Sequence, residues 1–271
     1  MVRTVCLFMV FFVLWFSSVF SQDEVVLSTE LKINKLTEQV WVVAHTFPWD
    51  SNSLIVKASG DEVVLIDTPY TNQATELMLQ FINKELSPKK ITAVLTGFHI
   101  DNLGGTGCLL RHQIPVYGSD RTCRLLDERS ANTQQQMLSW LQSPGQEKYL
   151  KAYSEMKFEK PDHIFPIEEG LFLKKGKLSF DVYFPGESHS PDNLTVYIKE
   201  LNLLFGGCMI KSPESTNLGF TGDANMNEWP VSVKKVQEKY SGSRWVIPHH
   251  GKWGDASLLQ HTLDLFKTSH P

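Results

Sequence analysis

Apolar and polar positions alternate along QVWVVAHTF (39–47) and SNSLIVKAS (51–59), the period of half-buried strands. DEVVLIDTP (61–69) follows the turn residues Ser59, Gly60 and Asp61 and reads as the second arm of a hairpin. In NQATELMLQFINKEL (72–86) the apolar positions move to helical spacing, with Asn72 as the expected N-cap. KKITAVLTG (89–97) is a continuous apolar run, the pattern of a strand covered on both faces. IPVYGS (114–119) reads as another short buried strand. Gln134 to Tyr149 reads as a helix, polar along much of its length and therefore expected at the surface.

The second half has the same outline. DNLTVYIKELNLLFGGCMI (192–210) reads as a hairpin, and its start, Asp192-Asn193-Leu194, echoes Asp50-Ser51-Asn52-Ser53-Leu54. A helix follows from about Glu228 to Tyr240, then the strand SRWVIPHH (243–250), then a helix from Ala256 to Lys267. Hairpin, helix and strand occur twice, which suggests a two-fold pseudo-repeat with halves at about 22–165 and 166–271. No linker rich in Pro, Gly or Ser divides them. The expected architecture is one α/β domain with αββα layering, two sheets face to face and helices outside.

The chain has 271 residues, 42% hydrophobic and 21% charged, enough for a sizeable core. A net charge of −4 gives no electrostatic case for nucleic acid as partner. At the N-terminus, Arg3 precedes an almost wholly apolar run from Val5 to Phe16, and Val19-Phe20-Ser21 offers a small residue for cleavage. The segment 1–21 reads as a secretory signal cut after Ser21. The run is shorter than the roughly 20 apolar residues of a membrane span and ends in Ser17-Ser18. The expectation is a periplasmic monomer with no membrane segment after cleavage. Cys6 leaves with the signal, so Cys108, Cys123 and Cys208 remain. Cys208 is expected to be free; Cys108 and Cys123 either pair or stay as two buried thiols.

Polar residues gather where apolar strands end. His99 and Asp101 follow ITAVLTG, Ser188-His189-Ser190 follows FDVYFPGE, Cys208 follows LNLLFGG, and His249-His250-Gly251 follows RWVIP. Taken singly, each has a plain structural reading: a hydrogen-bonded histidine, a small buried cysteine, an Asp capping a helix. Asp, Cys and several His at four strand ends together make a zinc-type donor set on loops that a rigid scaffold presents.

With GFHIDNLGG, ESHSPDNLTVY, LLFGGCMIKS, LGFTGDAN and VIPHHGKWGD in this order, the chain from Val40 to Phe266 resembles the metallo-β-lactamase superfamily. Within it the chain is similar to the true β-lactamases that have a Cys ligand and two zinc ions. The resemblance implies zinc-dependent hydrolysis of the β-lactam ring and antibiotic resistance. By position, His99 and His189 resemble ligands of the three-His zinc site, and Asp101, Cys208 and His250 resemble the full ligand set of the other. Asp101 would also orient the nucleophile. Lys211 matches the lysine that pairs with the substrate carboxylate. Cys208 and Asn102 argue against the relatives that hydrolyse thioesters, phosphodiesters or RNA, which carry a metal-bridging Asp and a His at those positions.

Three positions depart from the pattern. Gly97 replaces the first His of the loop, Phe220 stands in place of an Asn that contacts the lactam carbonyl, and His249 replaces a small residue. One expectation is that Gly97 leaves a space and His249 turns in to supply the missing nitrogen; the alternative is that His249 stacks outside the site. Two zinc ions are expected, or one held by Asp101, Cys208 and His250 alone in a carbapenem-selective hydrolase; a non-catalytic zinc-binding protein is the third reading. In HTFPWDSN (45–52), Phe47 and Trp49 would contact substrate from the hairpin loop, unless Trp49 plugs the core. Phe220 would face the substrate as well. Asp67 and Asp223 are expected to bond backbone near the site, and His261 to be structural. His112, His163 and His270 carry no signal.

Overall fold

The computed structural model describes residues 24–268. The expected signal segment, Cys6 and His270 lie outside the described residues. Strands β1 (Glu24–Val26), β2 (Leu31–Lys35), β3 (Val40–Thr46), β4 (Asp50–Lys57), β5 (Glu62–Ile66), β6 (Lys90–Val94), β7 (Val116–Ser119) and β8 (His163–Phe165) form one sheet in sequence order. Strands β9 (Leu171–Lys175), β10 (Leu178–Tyr183), β11 (Thr195–Ile198), β12 (Leu203–Gly207) and β13 (Trp245–Pro248) form the second, ordered β13-β12-β11-β10-β9. Each half of the chain therefore builds its own sheet. Each also uses the same connection: the hairpin β4–β5, helix α1 (Asn72–Glu85), then β6 parallel to β5; and the hairpin β11–β12, helix α6 (Trp229–Lys239), then β13 parallel to β12.

Side-chain parity along the strands sets the layers. Val40, Val42, Leu54, Val56, Val64 and Ile66 point inward and pack on Phe180, Val182, Val196, Phe205 and Ile247 of the other sheet. Their neighbours Trp41, Val43, Ile55, Val63 and Leu65 point outward and are covered by α1 through Met78 and Ile82, and by α3 (Thr106–Arg111) and α4 (Asp120–Trp140). Val246 and Leu204 face the other way, under α6 and α7 (Ser257–Thr268). The result is the αββα sandwich, its two sheets joined by a dry apolar layer. No helix among the described residues is long and apolar enough to cross a membrane.

Two local expectations need correction. Helix α1 is capped by Thr71, whose hydroxyl accepts from Ala74 N–H, and not by Asn72. The Asn72 amide oxygen instead accepts the Cys108 N–H from α3. The helix expected at 134–149 is two helices: α4, capped by Ser119, ends at Trp140, and α5 spans Glu147–Ser154. Between them Pro144 lacks a backbone donor and Gly145 takes a positive φ of 88°, so Ser143-Pro144-Gly145 forms a turn. Cys108, Cys123 and Cys208 are all free and buried, which removes the Cys108–Cys123 disulfide.

Candidate metal centre

The loop after β6 is shaped by close packing. One turn of helix, α2 (Ile100–Leu103), starts at His99 and sets Asp101 at the site while Phe98, Ile100 and Leu103 stay in the core. Gly104 and Gly105 permit this approach: a Cβ on Gly104 would lie 2.0 Å from the Tyr70 carbonyl oxygen, and one on Gly105 would lie 1.8 Å from Thr75 Oγ1. Asp67, fully buried just after β5 with φ of 58°, pins the loop from below. Its carboxylate accepts from Thr96 N–H at 2.7 Å, Thr96 Oγ1 at 2.6 Å and Asn102 Nδ2 at 3.0 Å. Three donors stabilise a buried carboxylate and offset the cost of its left-handed backbone.

Asp101, Cys208 and His250 arrive from three strand ends, β6, β12 and β13. Their ligand atoms all lie within 4.8 Å of one another. His250 Nε2 is 3.1 Å from Asp101 Oδ2, and Cys208 Sγ is 3.9 Å from the same oxygen. His250 Nδ1 lies 2.6 Å from the Asp50 carbonyl oxygen and must donate to it. That bond fixes the tautomer and leaves the Nε2 lone pair for a metal. Asp101 Oδ1 is buried with no hydrogen-bond partner in the chain. A carboxylate, a thiol and an imidazole that converge, with one buried carboxylate oxygen unpaired, fit zinc.

The charges agree with this. Burial alone would raise the Asp101 pKa, but His249, His250 and His99 around it hold the carboxyl well below the usual range. Burial pushes the Cys208 thiol up, and Asp101 and Asp67 push it further. Zinc held here would be bound by the Cys208 thiolate, with loss of the thiol proton.

His99 and His189 form a second pair, with ring centroids 5.2 Å apart. Asp223 Oδ2 lies 3.0 Å from His99 Nε2, and Asp223 is itself held by Arg129 Nη1 at 2.9 Å. This carboxylate orients the imidazole and leaves Nδ1 as its remaining donor atom. Asp223 therefore grips a side chain and not backbone, contrary to the sequence-based expectation. His189 packs edge-on against Trp229, and its Nδ1 is buried without a partner. Burial and Lys211 keep its pKa well below the ordinary value, so it is a neutral imidazole.

The structure changes the picture around Gly97 and His249. A Cβ on Gly97 would meet Asn193 Nδ2 at 3.3 Å and Asn102 Oδ1 at 3.5 Å, so two amides flank Gly97 closely. His249 is fully buried, and its ring lies against those of Phe205 and His250. Its Nε2 is 3.1 Å from the Asp101 main-chain oxygen, and its Nδ1 is 3.4 Å from Asp67 Oδ2. His249 is thus a brace behind Asp101 and does not stand beside His99 and His189, which corrects the position expected for it. β13 ends at Pro248, so the direction of His249 is set by its partners: its main-chain N–H donates to the Gly207 carbonyl and its ring meets Asp101 and Asp67.

A cavity of about 540 Å³ opens over both sites. Lys211, Trp49, Phe220 and Trp140 line it with the candidate ligands His99, His189, Asp101 and His250. Lys211 is buried, its Nζ 5.1 Å from the centre of the Trp229 ring. Trp49 is 37% exposed and packs edge-on against Trp140, which in turn packs on Phe220. Trp49 does not plug the core. Phe47 does turn inward, onto His45, Tyr149 and Tyr153, and does not line the cavity, a second correction. The sequence reading missed Thr133, Gln136, Met137 and Trp140, which α4 presents to the cavity. Their spacing of three, four and seven residues is one helical face, so the signal was present in a segment read only as polar surface.

The sequence pattern of the Metallo-beta-lactamase superfamily matches residues 46–261. A protein of Bacteroides fragilis named Metallo-beta-lactamase type 2 is 28% identical over 251 residues, covering 90% of this chain and 89% of the relative. A protein of the same name from Bacillus cereus is 29% identical over 244 residues, covering 88% and 83%. Among solved structures, the metallo-beta-lactamase from Pontibacter korlensis is 33% identical with a TM-score of 0.73, covering 88% of this chain and 99% of its own. The fold, the order of the site loops and these likenesses lead to one conclusion: this chain belongs to the metallo-beta-lactamase superfamily.

Proposed function

We propose that this protein is a β-lactamase that opens the β-lactam ring with zinc held by Asp101, Cys208 and His250, and with a weaker second zinc position at His99 and His189. The convergence of His99, His189, Asp101, His250 and Lys211 on one cavity, with the Cys208 sulfur within 4.8 Å of the Asp101 and His250 ligand atoms, carries the reading. Relatives named metallo-beta-lactamases across most of the chain support it. When bound, zinc supplies Lewis acidity and a nucleophile at neutral pH, because it lowers the pKa of its water to about 7. Asp101, with Oδ1 unpaired, would orient that nucleophile toward the lactam carbonyl. Lys211 holds the substrate carboxylate. Trp49, Trp140 and Phe220 exclude water and hold apolar substituents. Phe220 offers no hydrogen-bond donor, so no side chain at that position polarises the carbonyl. The apolar segment at 5–16 supports export to the periplasm with processing after Ser21.

Turnover of a chromogenic cephalosporin and a carbapenem, with and without chelator, tests the function. Zinc-dependent hydrolysis is expected; chelator-insensitive hydrolysis, or none with zinc bound, overturns it. Gly97 supplies no ligand, which leaves His99 and His189 one donor short of the three-His pattern and favours a single-zinc working state. Rates should then reach their maximum when the Asp101, Cys208 and His250 position is filled and fall with excess zinc, whereas a rate that climbs further as the His99–His189 position fills favours the dizinc form.

Lys211→Ala is expected to raise KM for carboxylate-bearing β-lactams by about ten- to a hundredfold, the worth of one charge-assisted hydrogen bond. Burial lowers the Lys211 pKa, partly offset by Cys208 and Asp101. The ammonium is present below that pKa, so KM should rise with pH earlier than for an exposed lysine. Lys211→Arg should remove that alkaline limb; an unchanged pH profile in the Arg variant refutes the assignment. Trp140→Ala removes one wall of the aromatic cleft. KM for penicillins with aromatic side chains should rise about fivefold, against little change for small carbapenems. Equal effects on both classes would remove Trp140 from substrate selection.

A further inference from the structure

We propose a further metal site on the outer helical layer, formed by Glu76, Cys108 and His112, that takes one zinc ion apart from the catalytic centre. Cys108 and His112 stand one helical turn apart along α3 and its C-terminal cap, so their side chains share a face. Glu76 faces them from α1. Its Oε2 lies 2.7 Å from His112 Nε2 and 3.4 Å from Cys108 Sγ. The three ligand atoms lie within 4.8 Å of one another, the same closeness as in the Asp101, Cys208 and His250 set.

Burial is graded across the set: Cys108 is 0% exposed and forms the floor, while the His112 and Glu76 side chains are 44% and 41% exposed and leave an entry path. Thiolate, imidazole and carboxylate with one side open to water make a zinc-type donor set, not one for calcium or magnesium. In the metal-free chain the Glu76 carboxylate accepts from both the thiol and the imidazole. Burial, with Glu76 beside it, pushes the Cys108 thiol up to about 12. As the sulfur–zinc bond forms, the S–H bond breaks and its proton passes to water. The Glu76 oxygen turns from hydrogen-bond acceptor to ligand.

The position has a consequence for the active-site loop. Gly104 and Gly105 connect α2, which carries Asp101, directly to α3. An ion at this site clamps α3 to α1 and fixes the C-terminal end of that loop. This proposal does not rest on the β-lactamase reading, since the same ion would bind a chain with no turnover.

Cobalt(II) is the probe, titrated into the full mature chain carrying Cys208→Ser so that the catalytic thiol is silent. A thiolate-to-cobalt charge-transfer band is expected at one equivalent. The band should vanish in Cys108→Ser/Cys208→Ser and persist in Cys123→Ser/Cys208→Ser. Because His112 is exposed, His112→Ala in the Cys208→Ser background keeps the fold and should weaken cobalt at this site at least about tenfold. With Cys208 intact, Glu76→Gln should lose one zinc equivalent and retain turnover. No band in Cys208→Ser, a band that survives loss of Cys108, or unchanged affinity in His112→Ala overturns the proposal.

Discussion

Asp101→Asn is expected to lower kcat/KM for every β-lactam by about three orders of magnitude or more, a loss of about 4 kcal/mol of transition-state stabilisation. The substitution keeps shape and volume but removes the one charge at the meeting point of the site. Asp101 Oδ2 lies 3.1 Å from His250 Nε2 and 3.9 Å from Cys208 Sγ. An amide there cannot neutralise zinc beside a thiolate, so zinc affinity falls along with turnover. It also cannot orient a nucleophile as a carboxylate acceptor does. Zinc stoichiometry by direct metal analysis and turnover measured at saturating zinc separate the two losses. Near-UV circular dichroism checks that the fold is intact. Activity within tenfold of the wild type at saturating zinc would remove Asp101 from the catalytic role.

His249→Ala is expected to destabilise the metal-free chain by about 3 kcal/mol while leaving zinc stoichiometry unchanged. The imidazole is fully buried between two carboxylates, 3.4 Å from Asp67 Oδ2 and 3.6 Å from Asp101 Oδ2. Removing it leaves both charges without that partner and opens a hole behind the Asp101 main chain. The pH dependence follows from the direction of the shift. Burial lowers the His249 pKa, but Asp101 and Asp67 more than offset this and raise it above its ordinary 6.5. The stabilisation is therefore fully present below about pH 6.5 and is lost as pH rises through the raised native pKa. The stability gap between wild type and variant, measured by denaturant unfolding after chelation, should be widest in mild acid and narrow in alkali. A variant that loses one zinc equivalent at saturating zinc, with unchanged metal-free stability, would restore His249 to the ligand set.

The strands were legible because burial writes parity into them. Val40 and Val42 against Trp41 and Val43, or Val64 and Ile66 against Val63 and Leu65, divide between two apolar layers as alternation requires. The repeated hairpin, helix and strand were legible for the same reason. The ends of helices were less so. Thr71 and Asn72 are both good caps, and which one serves depended on Asn72 being drawn to Cys108 N–H on another helix. Helix α4 was partly hidden because the face it turns to the cavity is mixed: Thr133, Gln136, Met137 and Trp140 do not form an apolar stripe.

By itself the sequence determined the sandwich, the loops at the strand ends, and a zinc-type donor set of Asp, Cys and His gathered on those loops. These are properties of residue type and period, which each segment carries locally. The tertiary structure alone decided what each donor does. It flanked Gly97 with Asn193 and Asn102, set His249 behind Asp101, bonded His250 Nδ1 to the Asp50 carbonyl and gave His99 Nε2 to Asp223. It also sent Phe47 inward while Trp49 stayed over the cavity. The reason is that a glycine's neighbour, a histidine's free nitrogen and a ring's facing are fixed by partners distant in the chain. Asp50 and His250 are joined by a single hydrogen bond across the whole fold, and no local pattern records it.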